Sequence, residues 1–541
     1  MVAPNAQYQI QEVPLKIVGG THYGRYPKIS DEETWNFLVS DGFLVPYAGY
    51  ANVLTLASTL PGRGVYSSFR ESMLLAVWGT LVYRINQNLT YSIIGSLFTD
   101  TGDVYIAENN NGQIALTDGV YVYVYNYATE VSADVFRSSN PTSVNSFTFP
   151  YTSPGYISFQ NGNLIIACQY TTNWILSGIN DDGAPDATVW TVDSDTVGAL
   201  QTKPDYVQAA VPVPGGGNNL LLLGRNVAET WQYTGGALFP YQRLSTFNSD
   251  YGCINPATVS GLGDVIVWIG VNEQSGPTLM VYSGNQVKQI STDGIDFTMG
   301  NLTNPSNCTG FLYQQDGHLI YQFTFPSSNI SYAYDFETQL FFNVSDENLN
   351  YHIARQIVYF NNTYYFVSLN GGNLYEFDTK FSAAQYATDN IKPIPRIRIT
   401  APFRLPTQRP FIVKSLGFTI EQGEPNAIPV IYDYTGGYQE ILAENGYFIA
   451  AENGSFICTE EEPQAPTAIF PIPTNAVYLS ISRDGGVNFG SSLERPMNPT
   501  GNRVSRFIYQ RLGRANDFTA QIRFVGPQRF VVTDGLLEVY E

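Results

Sequence analysis

Seven times between about residues 70 and 380 the chain repeats one local unit. An apolar run of four to six residues meets a Gly or Asn turn, and a second run containing Tyr or Trp follows. The units begin at Met73 (MLLAVWGTLVYRI), Ile114, Ile157, Leu220, Val265, Leu319 and Ile357. Short runs rich in β-branched and aromatic residues, bounded by turn residues, read as hairpins. Their recurrence roughly every forty to sixty residues suits the four-stranded blades of a β-propeller. The expectation is an irregular propeller of six or seven blades. An array of β-sandwiches is the structural rival. Composition agrees: Tyr (38), Phe (32), Gly (48) and Pro (31) are abundant and only 14% of residues are charged, which fits neither a disordered chain nor a helical bundle.

After the last unit the character changes. Residues 391–410 hold Pro393, Pro395, Pro402, Pro406 and Pro410, and proline lacks the amide donor a ladder needs. The stretch reads as an extended linker. Charge shifts at the same place: of the net −20, the 14 basic and 15 acidic residues after position 391 leave 13 and 32 before it. Alternating runs at Phe411–Ile420, Ala476–Ser482, Arg503–Gln510, Thr519–Val525 and Phe530–Val532 suggest a second, β-sandwich body. The expected organisation is an N-terminal arm (1–45) packing on this platform, a propeller (46–390), the linker (391–410) and the platform (411–541).

Motifs of known chemistry are scarce. His22, His318 and His352 form no His-x-x-x-His pair, so a zinc site or a His-based triad is poorly supported, and the three read as surface or half-buried. There is no P-loop, no GxSxG and no GxGxxG between strand and helix. Asp181-Asp182-Gly183 beside Asp186 lacks the twelve-residue calcium spacing and reads as a solvated turn. Cys168, Cys253, Cys308 and Cys458 are far apart and read as free, partly buried thiols. Asp residues in Thr117-Asp118-Gly119 and Thr292-Asp293-Gly294 read as turn residues whose carboxylates bond their own backbone. No cofactor or metal is expected. The start of the chain lacks the basic and apolar regions of a secretory signal and no apolar run spans a bilayer, so synthesis in a cytoplasm is expected. The acidic balance argues against tight binding to a nucleic-acid backbone.

The sharpest feature is basic. Arg503, Arg506, Arg511, Arg514, Arg523 and Arg529 fall within 27 residues containing one acid, Asp517. Guanidiniums on neighbouring strands can meet acidic loops of another subunit through bidentate pairs. The competing reading is a basic strand face in solvent.

Several stretches resemble the packaged-DNA stabilisation, or tail hub and nozzle, proteins of short-tailed bacteriophages. They are Gly224–Gly236 (GRNVAETWQYTGG) with Phe239–Arg243 and Gly252-Cys253, then Gly317–Phe325 (GHLIYQFTF) with Tyr334-Asp335. Gly372–Asp378 (GNLYEFD), Ser482–Phe489 (SRDGGVNF), Arg511–Arg514 (RLGR) and Ile522–Phe524 follow in the family's order. Tyr509-Gln510 departs from the aromatic–Arg pair usual before RLGR. The resemblance implies a non-enzymatic structural role: a homohexameric tube beneath the portal and adaptor rings that retains packaged DNA and conducts it at ejection. Its partners would be copies of itself, the portal–adaptor ring, tail spike or fibre, needle or plug proteins, and duplex DNA passing without tight binding. The location implied is the virion tail, assembled in the host cytoplasm, and the six arginines become candidates for subunit or adaptor contacts. The alternatives are a carbohydrate-binding tail fibre or adhesin and, behind it, a propeller glycosidase, which needs two carboxyl groups about 5–9.5 Å apart.

Overall fold

The computed structural model describes residues 10–540, apart from 26–30, 57–58, 69, 130–134, 181–182, 216–217, 237, 285, 388–389, 423–431, 434–466, 469–475, 498–503 and 527–529. The described chain is nearly all β, with one α-helix, Asp293–Gly300, among the described residues. Each repeated unit falls in a different four-stranded meander. Five of these are separate sheets, and two more are the leading parts of larger sheets. Their innermost strands are Gly62–Ser68, Tyr105–Glu108, Pro154–Gln160, Val207–Pro212, Ser260–Leu262, Thr309–Gln315 and Ala354–Phe360. The last packs back against the first, closing a ring of seven blades.

Seven apolar clusters hold the ring, one at each junction between neighbouring blades. The runs feed both clusters they touch: Leu74, Ala76 and Trp78 face one neighbour while Met73, Leu75 and Val77 face the other. This explains why the second strands read as continuous apolar runs: a sheet buried on both faces has no polar side to alternate. Fully burying one such side chain contributes about 1.5–3 kcal/mol.

The ring is latched by a distant strand. Blade seven takes its fourth strand, Gly49–Thr55, from before blade one, paired antiparallel to Asn373–Asp378 from Asn373↔Thr55 to Asp378↔Gly49. Ala383–Ala387 then lies parallel to it, extending the sheet. Gly49 is required there, because a Cβ would come within 2.6 Å of the Phe381 carbonyl oxygen.

Beyond the propeller, two sheets face each other as a sandwich-like platform, and the N-terminal arm supplies strands to both. In one, Phe411–Gln422 pairs with Val504–Ala515 and Gly535–Tyr540, and the arm strand Ile10–Leu15 forms an edge. The other continues blade six: Leu340–Val344 is followed by the arm strand Glu33–Trp35, then Arg396–Ile399, Thr519–Val525, Ala476–Ser482 and Leu493–Pro496. Phe37, Leu416, Phe418, Leu479, Phe507, Tyr509, Ile522 and Phe524 interleave between the sheets. The proline-rich stretch therefore holds a strand, Arg396–Ile399, in the middle of a nine-stranded sheet. Pro393 and Pro395 flank this pairing instead of interrupting it, which is where a residue without an amide donor fits.

Two histidines differ from the expectation of surface or half-burial. His318 is 6% exposed and His352 1%. His352 sits edge-on to Tyr50 and Tyr47, and its Nδ1 accepts from the Ala354 amide. Burial pushes its pKa down to about 3. In the unfolded chain the ring takes a proton near pH 6.5, so its contribution to stability is full above that pH and falls as the pH drops. Between pH 7 and pH 5 a loss of about 2 kcal/mol is expected from this group alone. Urea unfolding at the two pH values checks it: the His352→Phe variant should lack that part of the slope, and an unchanged slope would remove the histidine as its cause.

Candidate interaction surfaces and the central funnel

Four of the six candidate arginines fall among the described residues, and they do not form one cluster. Along Val504–Ala515, Ser505, Phe507 and Tyr509 are buried in the sandwich, whereas Val504 and Arg506 are exposed and Ile508 is half-buried. The period breaks at Arg511-Leu512, which together oppose a single residue, Lys414, where the register shifts between Val413↔Gly513 and Ser415↔Gln510. Arg511 (φ 60°) and Gly513 (φ 88°) absorb this bulge, so Leu512 turns inward and Arg511 and Arg514 stay outside. A Cβ on Gly513 would lie 2.8 Å from the Arg483 guanidinium, whose Nη2 donates to the Leu512 carbonyl at 2.9 Å. The RLGR stretch is therefore a bulge with a glycine that admits an arginine.

Arg523 projects from the other sheet, where Ile522 and Phe524 are the core residues. It lies on the opposite outer face of the sandwich from Arg506, Arg511 and Arg514. Arg503 and Arg529 lie outside the described residues. The first face also exposes Ile10 (51%), Ile412 (42%), Val504 (57%) and Leu536 (38%). Arginine is among the residues enriched at protein–protein contact surfaces.

The other singled-out stretches serve local structure. In SRDGGVNF the Asp484 carboxylate accepts from the Ser482 hydroxyl, the Val487 and Asn488 amides and the Asn488 side chain, and Gly485 and Gly486 adopt positive φ to bring these donors round. The Ser482 hydroxyl above all, with Asn488, holds that carboxyl below the usual range. In GRNVAETWQY, Glu229 is fully buried and accepts from the Gln201 and Thr202 amides and the Trp231 indole. GHLIYQFTF and the following Tyr334-Asp335 meet where His318 Nδ1 lies 2.9 Å from Asp335, and His318 Nε2 lies 3.1 Å from the Ser40 hydroxyl of the arm. This Ser–His–Asp order has the distances of a proton relay. Asp335 also accepts from the Glu337 amide and the Thr338 hydroxyl, and Ser40 lies in the arm hairpin (Phe37–Ser40 with Phe43–Pro46). We read it as a clasp between arm and blade six.

Cys168, Cys253 and Cys308 are free and buried; burial pushes the Cys253 thiol up to about 12. Cys458, Asp181 and Asp182 lie outside the described residues. Asp118 bonds its own turn through the Val120 and Tyr121 amides, in keeping with its turn context. The second such context opens the helix instead: the Thr292 hydroxyl accepts from the Ile295 amide as an N-cap. Among the described residues no group of three or more His, Cys, Asp or Glu is placed to hold a metal ion.

A concavity lies at one end of the ring, where the loops entering the blades meet those joining second and third strands. A cavity of 370 Å³ opens there, lined among others by Asp118, Gln169, Tyr170, Tyr206, Gln208 and Arg225. Asp103 and Tyr105 lead from it into a narrower space of 130 Å³ that also touches Arg63, Tyr156, Thr309 and Arg355. Arg63 is 1% exposed and spends its guanidinium on the Gly79, Thr99, Thr101 and Gly102 carbonyls and the Thr99 hydroxyl. Arg355 pairs with Asp103 at 2.5 Å. Tyr170 stands 74% exposed at φ 60° and Tyr206 is 51% exposed. A bulky residue held in the left-handed region costs about 1–3 kcal/mol, and here no burial of the ring repays it. Sequence reading missed this funnel because its lining comes from loops on five blades, each unremarkable alone.

The family model described as Phage_stabilise: Bacteriophage P22 Gp10, beta-propeller, matches residues 22–382. No curated relative matches the chain. Among solved structures, inactive virginiamycin B lyase from Staphylococcus aureus with quinupristin aligns at 11% identity, covering 61% of this chain and 98% of that one, with a TM-score of 0.40. The WD40 propeller domain of Doa1 aligns at 11% identity over 61% and 97% of the two chains, with a TM-score of 0.37. The N-terminal domain of Nup159 aligns at 12% identity over 64% and 98%, also with a TM-score of 0.37. At these scores the likenesses carry no functional argument.

Proposed function

We propose that the chain, which belongs to the phage stabilisation family of β-propellers described by bacteriophage P22 Gp10, is a subunit of a tail ring or nozzle. The family itself makes the role a structural one in a phage particle. The finer reading is that copies close into a homohexameric tube below the portal and adaptor. The tube retains packaged DNA, anchors the tail spike or fibre and the needle or plug, and conducts the genome at ejection. The family match across residues 22–382 is the observation that carries this reading.

Two features support it. A closed propeller leaves few free strand edges, which suits a protein assembled at high local density. A ring also needs heterologous contacts, in which one patch meets a different patch on the next copy. The platform offers an arginine-bearing face, and the excess acid lies before residue 391. Arg506, Arg511 and Arg514 of one copy would meet acidic propeller loops of the next. Exposed ion pairs contribute only about 0–1 kcal/mol each, so a strong effect of their removal requires burial at a contact. Arg511→Ala with Arg514→Ala should weaken assembly into tails clearly more than a matched pair of surface substitutions, and unchanged assembly would refute this placement.

The DNA path yields a second expectation. A hexamer carries six times the chain's −20, and duplex DNA carries one charge per roughly 1.7 Å of axis. A basic lining would hold DNA through counterion release, whereas an acidic one repels it within a Debye length of about 8 Å. Retention then falls to a steric constriction or plug. Filter binding at about 50 and 200 mM salt should give weak or no affinity for duplex DNA, weaker at the lower salt. Tight binding at low salt would overturn the sliding path.

A further inference from the structure

We propose that the funnel of the propeller binds an acidic oligosaccharide, a short sugar chain carrying a carboxylate. The inference stands on the geometry of the funnel and is independent of the tail reading. Concave sites that take small ligands combine apolar rings with a few convergent polar groups. Tyr170 and Tyr206 supply exposed rings at the mouth, each with a flat apolar face and a polar tip, the form that lies against the C–H face of a sugar. Gln169 and Gln208 beside them offer both donors and acceptors to ring hydroxyls. Deeper, Thr309 is 7% exposed and its hydroxyl has no partner, although it lines the narrower space. A buried hydroxyl without a partner is the mark of a group that a ligand or water completes.

Charge decides the class of sugar. Asp103 is neutralised by Arg355 at 2.5 Å. Both oxygens of Asp118 are taken, one by the Val120 and Tyr121 amides and the other by Thr99 and the Tyr123 hydroxyl. Arg225 is exposed on the lining and has no carboxylate partner among the described residues. An uncompensated guanidinium in so acidic a body selects an anion, and its planar fork fits a carboxylate. A nucleic-acid strand fits less well, because one cation does not offset repulsion of a phosphate backbone by the surrounding acids.

The test applies the full-length protein to an array of uronate-, sialate- and ketodeoxyoctonate-containing oligosaccharides beside neutral ones and acidic peptides. Acidic glycans should be retained above neutral ones. Affinity should fall about ten-fold or more in Tyr170→Ala and in Arg225→Gln, each folded by circular dichroism. It should be unchanged in Tyr359→Ala, which removes an exposed ring (56%) that does not line the funnel. Retention of no acidic glycan, equal retention of neutral ones, or unchanged binding by Tyr170→Ala would overturn the proposal. A preference for the peptides would also overturn it and reassign the funnel to a protein partner.

Discussion

The Tyr50→Ala variant is expected to lose about 4 kcal/mol of stability, the upper range for truncating a buried aromatic ring. Tyr50 is fully buried on the latch strand that supplies the fourth strand of blade seven. Its ring meets His352 at 5.4 Å, Phe366 and Tyr375 at 5.6 Å and Tyr386 at 6.0 Å, and its hydroxyl lies 3.1 Å from that of Tyr386. Removing it empties a site walled by four rigid rings, where collapse is hard and the cavity persists. It also loosens the pairings by which the latch strand joins the start of the propeller to its end. Tyr91→Ala, on the outer strand of blade one and 44% exposed, should cost under about 1 kcal/mol. Denaturant unfolding of both variants checks this, and equal losses would mean that the latch adds nothing particular to the ring.

Arg398→Met should be the second severe change, at about 3 kcal/mol. The Arg398 side chain is fully buried between arm and platform. Its Nη1 donates to the Gly20 carbonyl at 3.0 Å and to the Thr34 hydroxyl at 2.9 Å, and its Nη2 pairs with Glu32. Burial pushes its pKa down, and Glu32 opposes that shift. Methionine fills much of the same length but leaves the carboxylate and the Gly20 carbonyl without their donor. Glu32 keeps 18% of its side chain in solvent, which sets the loss at the lower end of the range for broken buried pairs. The double variant Arg398→Met with Glu32→Gln should recover part of the loss, because the stranded charge is gone. A single-variant loss under about 1 kcal/mol would contradict a buried ion pair as the tie between arm and platform.

The parts of this fold that were legible are those written locally. Met73–Trp78 and its counterparts announce themselves, because a strand packed on both faces must be apolar at consecutive positions. The platform strands around Phe411, Ala476 and Thr519 show plain alternation. What stayed hidden depends on partners far away in the chain. Nothing local in Gly49–Thr55 says that it pairs with residues more than 300 positions later. Arg396–Ile399 resembles exposed linker, since two arginines and flanking prolines look like solvent-facing chain. Only the fold reveals that Glu32, Thr34 and the Gly20 carbonyl receive one of those guanidiniums inside. The Thr292 cap was visible in Thr292-Asp293-Gly294, but turn and helix start share that signature. For the surfaces, the arginine run marks a segment, and the structure divides its described members between two outer faces. The bulge at Arg511-Leu512 and the two-sheet sandwich decide which side each described arginine takes, and neither is set by spacing.

Negative-stain images of the purified full-length protein test the ring reading most directly. Closed rings with six-fold symmetry, one propeller per subunit around a central opening, are the expected result. Monomers throughout, or two-fold dimers that use one patch twice, would contradict a tail ring built from heterologous contacts.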